Sequence, residues 1–227
     1  LGGSLQGFAE GLDSSQPGLN THAWVSNVAG RHIVLRHFDS LSQAQRQTAK
    51  QAYEALYPAL HDRGLTPRIF GGKELVVSSR GKDFFLVQQD VRRLSDELSD
   101  TLRQGKTDRA GELITQAARL NNELNQIGVF FRNGQRRGAH SNIVDNVGIV
   151  GDKLVVLDLA NLATSSMNGH TGLIRTHDDF VAQMGRDLQA FASSRSLPQR
   201  SVASALEPLQ KVEELKAPAL KKPQTAT

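Results

Sequence analysis

The chain has 227 residues and a formal net charge of +4, with 38 % apolar, 5 % aromatic and 22 % charged residues. That balance lets Leu, Val, Ile and Ala build a core, and it excludes global disorder. Cysteine is absent, which excludes a disulfide framework, a Cys-based zinc site and a thiol nucleophile. No Lys/Arg block reaches the density of a nucleic-acid arm, so no nucleic-acid partner is expected. No apolar run approaches the roughly 18–20 residues of a bilayer span, so no integral membrane segment is expected. The chain begins at Leu1 rather than Met and reads as a fragment, with any targeting signal upstream of it.

Residues 1–22 are rich in Gly, Ser, Asn and Gln. AWVSNV (23–28) and HIVLRHF (32–38) read as strands joined by a short turn at Ala29-Gly30-Arg31. QAQRQTAKQAYEALYPALHDRG follows; Ala44, Ala52, Ala55, Leu56, Ala59 and Leu60 keep mostly to one helical face, Gly64 fits its C-cap, and Pro58 predicts a kink or a break. LTPRIFGG (65–72) reads as a loop, and ELVVSS (74–79) and DFFLVQQD (83–90) as a second hairpin. VRRLSDELSDTLRQG is a polar amphipathic segment. In TDRAGELITQAARLNNELNQIG, Leu113, Ala117, Leu120, Leu124 and Ile127 have the spacing of a buried helical stripe, with Thr107 or Asp108 as cap. FFRNGQRRGAHS reads as a loop. NIVDNVGIVGDKLVVLDLAN (142–161) reads as an apolar hairpin with Asn142 at one end and Asp158 at the other. DDFVAQMGRDLQAF (178–191) and, more weakly, 199–215 read as helices, and the tail 216–227 as disordered. The order is α+β: a β-rich region with one helix over 1–90, then a mainly helical region over 91–215.

This order of parts resembles the protein-kinase fold, in which a small antiparallel-sheet lobe with one helix precedes a helical lobe and ATP lies between them. LGGSLQGFA (1–9) resembles the glycine-rich loop L-G-x-G-x-x-G, with Gly2 and Gly7 at the first and third glycines and Ser4 at the second. IVLRHF resembles the V-A-I-K strand, with Arg36 at the lysine position; Glu54, eighteen residues on, matches the helix glutamate that pairs with that lysine. Gln88, Gln89 and Asp90 take the hinge positions, whose backbone groups bond adenine. NIVDNVGIVGDKLVVLDLA resembles N-I-L-x-D-x-x-G-x-x-K-L-x-D-F-G lengthened by three residues, which makes Asn142 and Asp158 the Mg²⁺ ligands. Asp158-Leu159-Ala160 stands where the family has D-F-G. The catalytic-loop triplet becomes Gln135-Arg136-Arg137, so the carboxylate base is missing, and His140 is the nearby substitute. A second register uses Asn146 and puts Ser141 at the base position.

After Asp158, 69 residues remain and no A-P-E motif is present, as in the shortened kinases that type III secretion systems of Gram-negative pathogens inject into host cells. The resemblance therefore implies a two-lobed kinase-like fold with a reduced helical lobe, in a bacterial effector secreted into the host cell. It implies ATP and Mg as cofactors and phosphoryl transfer to a host protein. Loss of the base and the lysine leaves open a catalytically inactive pseudokinase; an α+β adaptor acting by protein binding is the third reading. The seven His residues form no H-E-x-x-H pattern and there is no G-x-S-x-G elbow, so hydrolase chemistry is not expected.

Overall fold

The structure is a computed structural model that describes residues 14–17, 22–28, 31–37, 42–70, 76–77, 84–132, 143–164 and 172–211. Its architecture is mixed α+β, with small antiparallel sheets and, among the described residues, six α-helices. The chain divides into two compact units, residues 1–91 with 155–160, and residues 92–154 with 161–227. No described helix is long and apolar enough to cross a membrane. The tail 216–227 lies outside the described residues.

The first unit holds a five-stranded sheet of β1 (Ser14–Pro17), β2 (His22–Val28), β3 (Arg31–His37), β4 (Val76–Val77) and β5 (Phe84–Gln89), in the order β1-β2-β3-β5-β4. Each of its neighbouring pairs is antiparallel. Val28 pairs with Arg31, so Arg31 belongs to β3 and not to the expected turn Ala29-Gly30-Arg31, whose first two residues lie outside the described residues. Helix α1 (Gln43–His61) connects β3 to β4. Its buried stripe is Ala49, Ala52, Tyr53, Leu56, Tyr57 and Leu60, a 3.6-residue repeat. That stripe corrects the sequence reading: Ala44, Ala55 and Ala59 are exposed, and the two tyrosines take their place. An alanine-rich helix has no strong facial bias of its own, and the larger aromatic rings decide which side is covered.

Gly64 ends α1 as expected. With φ +68° it lets the Leu65 N–H reach Leu60 O at 2.8 Å while its own N–H reaches His61 O at 2.9 Å, a Schellman closure. Pro58 does not end the helix: it lies inside α1, and Asp62 N–H still donates to Pro58 O at 3.1 Å. The segment read as a loop, 65–72, is partly paired: Ile69 bridges Gln88, and its N–H donates to Tyr57 Oη at 3.0 Å.

The second unit begins with β6 (Arg92–Arg93) and α2 (Leu94–Arg103), where Leu94, Leu98 and Leu102 form one buried row. Helix α3 (Thr107–Gln126) follows. Leu113, Ala117, Leu120 and Leu124 are buried as their spacing predicts, whereas Ile127, expected in the same stripe, is the C-cap and only half-buried. Its cap is not Thr107 or Asp108: the N-cap is Lys106, with no side-chain cap bond, because the tight turn at Gly105 already starts the helix one residue earlier. β7 (Val129–Phe131) pairs with a later strand. The 142–161 segment opens with a single helical turn, α4 (Ile143–Asn146), before the hairpin of β8 (Val147–Val150) and β9 (Lys153–Val156), which shortens the predicted hairpin. β6, β8 and β9 form a three-stranded sheet in that order, and β10 (Leu162–Thr164) pairs with β7.

Helix α5 (His177–Ser194) starts on a capping box: Thr176 Oγ1 accepts from Asp179 N–H at 3.0 Å and the Asp179 carboxylate accepts from Thr176 N–H at 3.2 Å. Helix α6 (Gln199–Lys211) crosses α3 closely. A Cβ on Gly111 would lie 3.0 Å from Pro208 Cγ, so glycine is what lets these helices approach.

Candidate functional site

Four of the residues singled out by the sequence, Gly2, Gly7, His140 and Asn142, lie outside the described residues. The other four are Arg36, Glu54, Gln89 and Asp158. The first unit brings Arg36 and Asp158 together, although they stand 122 residues apart. Arg36 is the sixth residue of β3, and strand alternation puts it on the face of Val34 and, across the ladder, of Leu86 and Gln88. Asp158 follows the stretch that runs beside Leu65 and Thr66. There Val156 N–H donates to Leu65 O at 2.8 Å, and Thr66 Oγ1 donates to Val156 O at 3.0 Å. Asp158 then accepts Ala160 N–H on its Oδ1 at 3.1 Å, an Asx-type turn that holds its side chain back over its own backbone.

The contacts are these. Arg36 Nη2 donates to Asp158 Oδ2 at 3.4 Å, and Arg36 Nη1 donates to Leu157 O at 3.1 Å and to Tyr53 Oη at 3.3 Å. The Tyr53 hydroxyl lies 3.4 Å from both Asp158 Oδ1 and Leu157 O, and its single proton serves one of them at a time. All three side chains are largely withdrawn from water. Burial pushes the Tyr53 phenol well above its ordinary value, and the Asp158 charge pushes it further, so it stays a neutral donor. Burial alone would lower the Arg36 guanidinium, but the net direction is upward, and with Tyr53 neutral the charge and hydrogen bond of Asp158 are what hold it there.

Two expectations need correction. Glu54 does not supply the partner of Arg36: it is exposed on α1 and pairs with Lys50, Oε1 to Nζ at 2.8 Å. The stripe Ala49–Tyr53–Leu56–Leu60 turns Tyr53 inward, and one residue further round the helix is solvent. The contact reaching Arg36 from α1 is thus a phenol. Gln89 does not offer a free hinge N–H either. It ends β5, its N–H donates to Arg68 O at 2.7 Å, and the next N–H, of Asp90, donates to His32 O at 3.1 Å. Gln89 also pairs with Ile33, on the sheet face opposite Arg36.

Tyr53 was legible as an aromatic residue at helical spacing from Ala49 and Leu56, but the family pattern drew attention to its neighbour. A second missed residue is Asp187, in the second unit. It sits on the buried face of α5 with Phe180, Met184 and Leu188, where an acidic residue at seven positions from Phe180 was the available signal. Its Oδ2 accepts Ile143 N–H at 2.7 Å, at the start of α4, and its Oδ1 accepts Gln183 Nε2–H at 2.6 Å. Asn146, the metal ligand of the second register, has its Oδ1 bonded to Asn161 Nδ2 at 3.0 Å in this same unit.

The Mg²⁺ ion implied by the resemblance can be tested on the donors present. No group of three or more His, Cys, Asp or Glu side chains among the described residues is arranged to hold a metal. Of the residues assigned to it, Asn142 lies outside the described residues, and Asp158 accepts from Arg36 on Oδ2 and from Ala160 N–H on Oδ1. A divalent ion at Oδ2 would have to displace the guanidinium and then sit beside its positive charge. This arrangement does not fit a resident metal ion. No family model matches the chain, and a search of curated proteins finds no match.

Proposed function

We propose that the chain is a kinase-like domain of a bacterial secreted effector that takes ATP in its first unit and transfers the γ-phosphoryl group to a hydroxyl of a host protein. The observation that supports this reading is the meeting of Arg36 with Asp158. The kinase resemblance assigns Arg36 to the phosphate-contacting lysine position and Asp158 to the metal-binding D-F-G position, and they meet at 3.4 Å although 122 residues apart. The sheet order, with β5 between β3 and β4 and one helix between β3 and β4, adds to it. In that reading Arg36 donates to phosphate oxygens. The bond from the γ-phosphorus to the bridging oxygen breaks toward ADP as a bond to the acceptor hydroxyl forms, and the hydroxyl proton leaves to solvent or to His140.

A binding-only domain is the second reading. It is favoured by the commitment of both Asp158 oxygens to internal donors and by the arginines at the catalytic-loop position. Incubation of the full chain with γ-labelled ATP separates the two. The transfer reading expects label on the chain or on an added host-cell protein, lost in Asp158→Ala. ATP binding without any label, or no ATP binding at all, removes the transfer reading and leaves the domain that acts by protein binding.

A further inference from the structure

We infer that Gln183 is a two-position relay on α5 that couples protonation of Asp187 to release of the Arg186 guanidinium. The inference draws on the second unit alone and is independent of any nucleotide. The groups run in a chain. Arg186 Nη2–H donates to Gln183 Oε1 at 2.8 Å, Gln183 Nε2–H donates to Asp187 Oδ1 at 2.6 Å, and the Ile143 main-chain N–H donates to Asp187 Oδ2 at 2.7 Å. The amide between the two charged groups has its orientation fixed by them, because a guanidinium only donates and an ionised carboxylate only accepts.

A proton on Asp187 breaks that order. Both of its oxygens face N–H groups, so the new O–H meets a donor wherever it sits. On Oδ2 it would meet the Ile143 N–H, a main-chain donor that cannot be turned without undoing the start of α4. On Oδ1 it meets the Gln183 amide. A half-turn about the last bond of that side chain, a broad two-fold torsion, brings Oε1 round to accept the proton. The Gln183 N–H group then points at the guanidinium, donor against donor. Gln183 and Asp187 are buried and Arg186 is exposed, so the arginine is the group that leaves, toward water. The Ile143 bond survives on Oδ2.

The charged groups acting on Asp187 are Arg186 on its own helix and Asp145 on α4. Burial raises its proton affinity most, the Ile143 and Gln183 bonds and the Arg186 charge lower it, and Asp145 raises it again; the balance puts proton uptake near pH 6. Arg186 is thus held along α5 at neutral pH and freed in weakly acidic solution.

NMR titration of the full chain from pH 8 to 4, read at side-chain carbon and nitrogen, tests the relay. One midpoint near 6 is expected for the Asp187 carboxyl, the Gln183 amide and the Arg186 guanidinium. The Nη groups of Arg186 are expected to be distinct while held and to merge once released, and the Ile143 amide keeps its hydrogen-bonded shift throughout. Asp187→Asn presents an N–H to Gln183 and an oxygen to Ile143, the acid arrangement at every pH, so its Arg186 signals are expected to be merged even at pH 8. Gln183→Met leaves Asp187 titrating and uncouples Arg186 from it. Arg186 signals that stay distinct while wild-type Asp187 takes up its proton overturn the relay. So do loss of the Ile143 bond in acid, no proton uptake by Asp187 above pH 4, or pH-dependent merging that persists in Gln183→Met.

Discussion

Asp158 and Asp187 are both carboxylates taken out of water, 8 % and 7 % exposed, and their surroundings differ in kind. Asp158 faces a guanidinium. Asp187 receives two short bonds from neutral donors, the Ile143 N–H and the Gln183 amide, while Arg186 spends its guanidinium on Gln183 Oε1 at 2.8 Å. Burial pushes Asp187 up to about 6; the two bonds and the Arg186 charge oppose that shift without cancelling it, and Asp145 adds to it. Good hydrogen bonds thus do not replace a counter-charge in a dry place. The first unit has spent a cation on its buried acid. The second has used its acid to tie the start of α4 to α5, at the cost of a proton near neutral pH.

The largest effect expected is on the charged pair. Arg36→Leu leaves Asp158 buried without its cation and is expected to cost about 3–5 kcal/mol in urea unfolding. Arg36→Leu with Asp158→Asn is expected to recover most of that loss, since the orphaned charge goes with it. Equal losses in the single and double variants would show that the pair does not hold this corner together.

The next effect is a pH dependence. The folded-state value of Asp187, about 6, lies above its ordinary 3.8, so the folded chain binds this proton more tightly than the unfolded one. Its stabilising contribution is fully present below the unfolded value and is lost as pH rises through about 6. Comparing wild type with Asp187→Asn, the stability difference is expected to move in favour of wild type by about 2–3 kcal/mol as pH falls from 7 to 4. A difference that stays flat over that range would place Asp187 in water.

Smaller effects bound the comparison. Thr176→Ala removes the box that starts α5, the helix carrying Asp187, and is expected to cost about 1 kcal/mol by the same unfolding measurement. Asn121, fully buried on α3, has no hydrogen-bond partner for either amide atom among the described residues. Asn121→Leu is expected to raise the melting temperature by a few degrees, through removal of an unsatisfied amide worth about 1–3 kcal/mol. A fall would mean the amide is satisfied.

Strands and long helices were legible because their signals are local. The strands β2 and β3, the Gly64 stop and the Leu113–Leu124 row are written in neighbouring residues. The Arg36–Asp158 pair was not legible: the sequence reading set Arg36 against Glu54 and Asp158 against Asn142, and partners 122 residues apart leave no local signal. What failed depends on which side of a helix faces the sheet, since adjacent residues stand about 100° apart around it. Glu54 and Tyr53 are adjacent, and the larger aromatic stripe, not the family interval, decides which of them turns inward. Gln89 failed because a strand end with polar side chains reads the same whether its N–H groups are free or already paired with residues 68 and 32. Asp187 was missed because an acid on an apolar face is a non-local statement; its partner, Ile143, is 44 residues away.

Calorimetric titration of ATP into the full chain, beside the charge-balanced variant Arg36→Leu/Asp158→Asn, tests the first-unit site most directly. The account predicts binding of a single ATP by the wild type and an affinity weaker by at least about tenfold in the variant. Equal affinity in the two proteins would contradict it, because the phosphates would then be held somewhere other than beside Arg36 and Asp158.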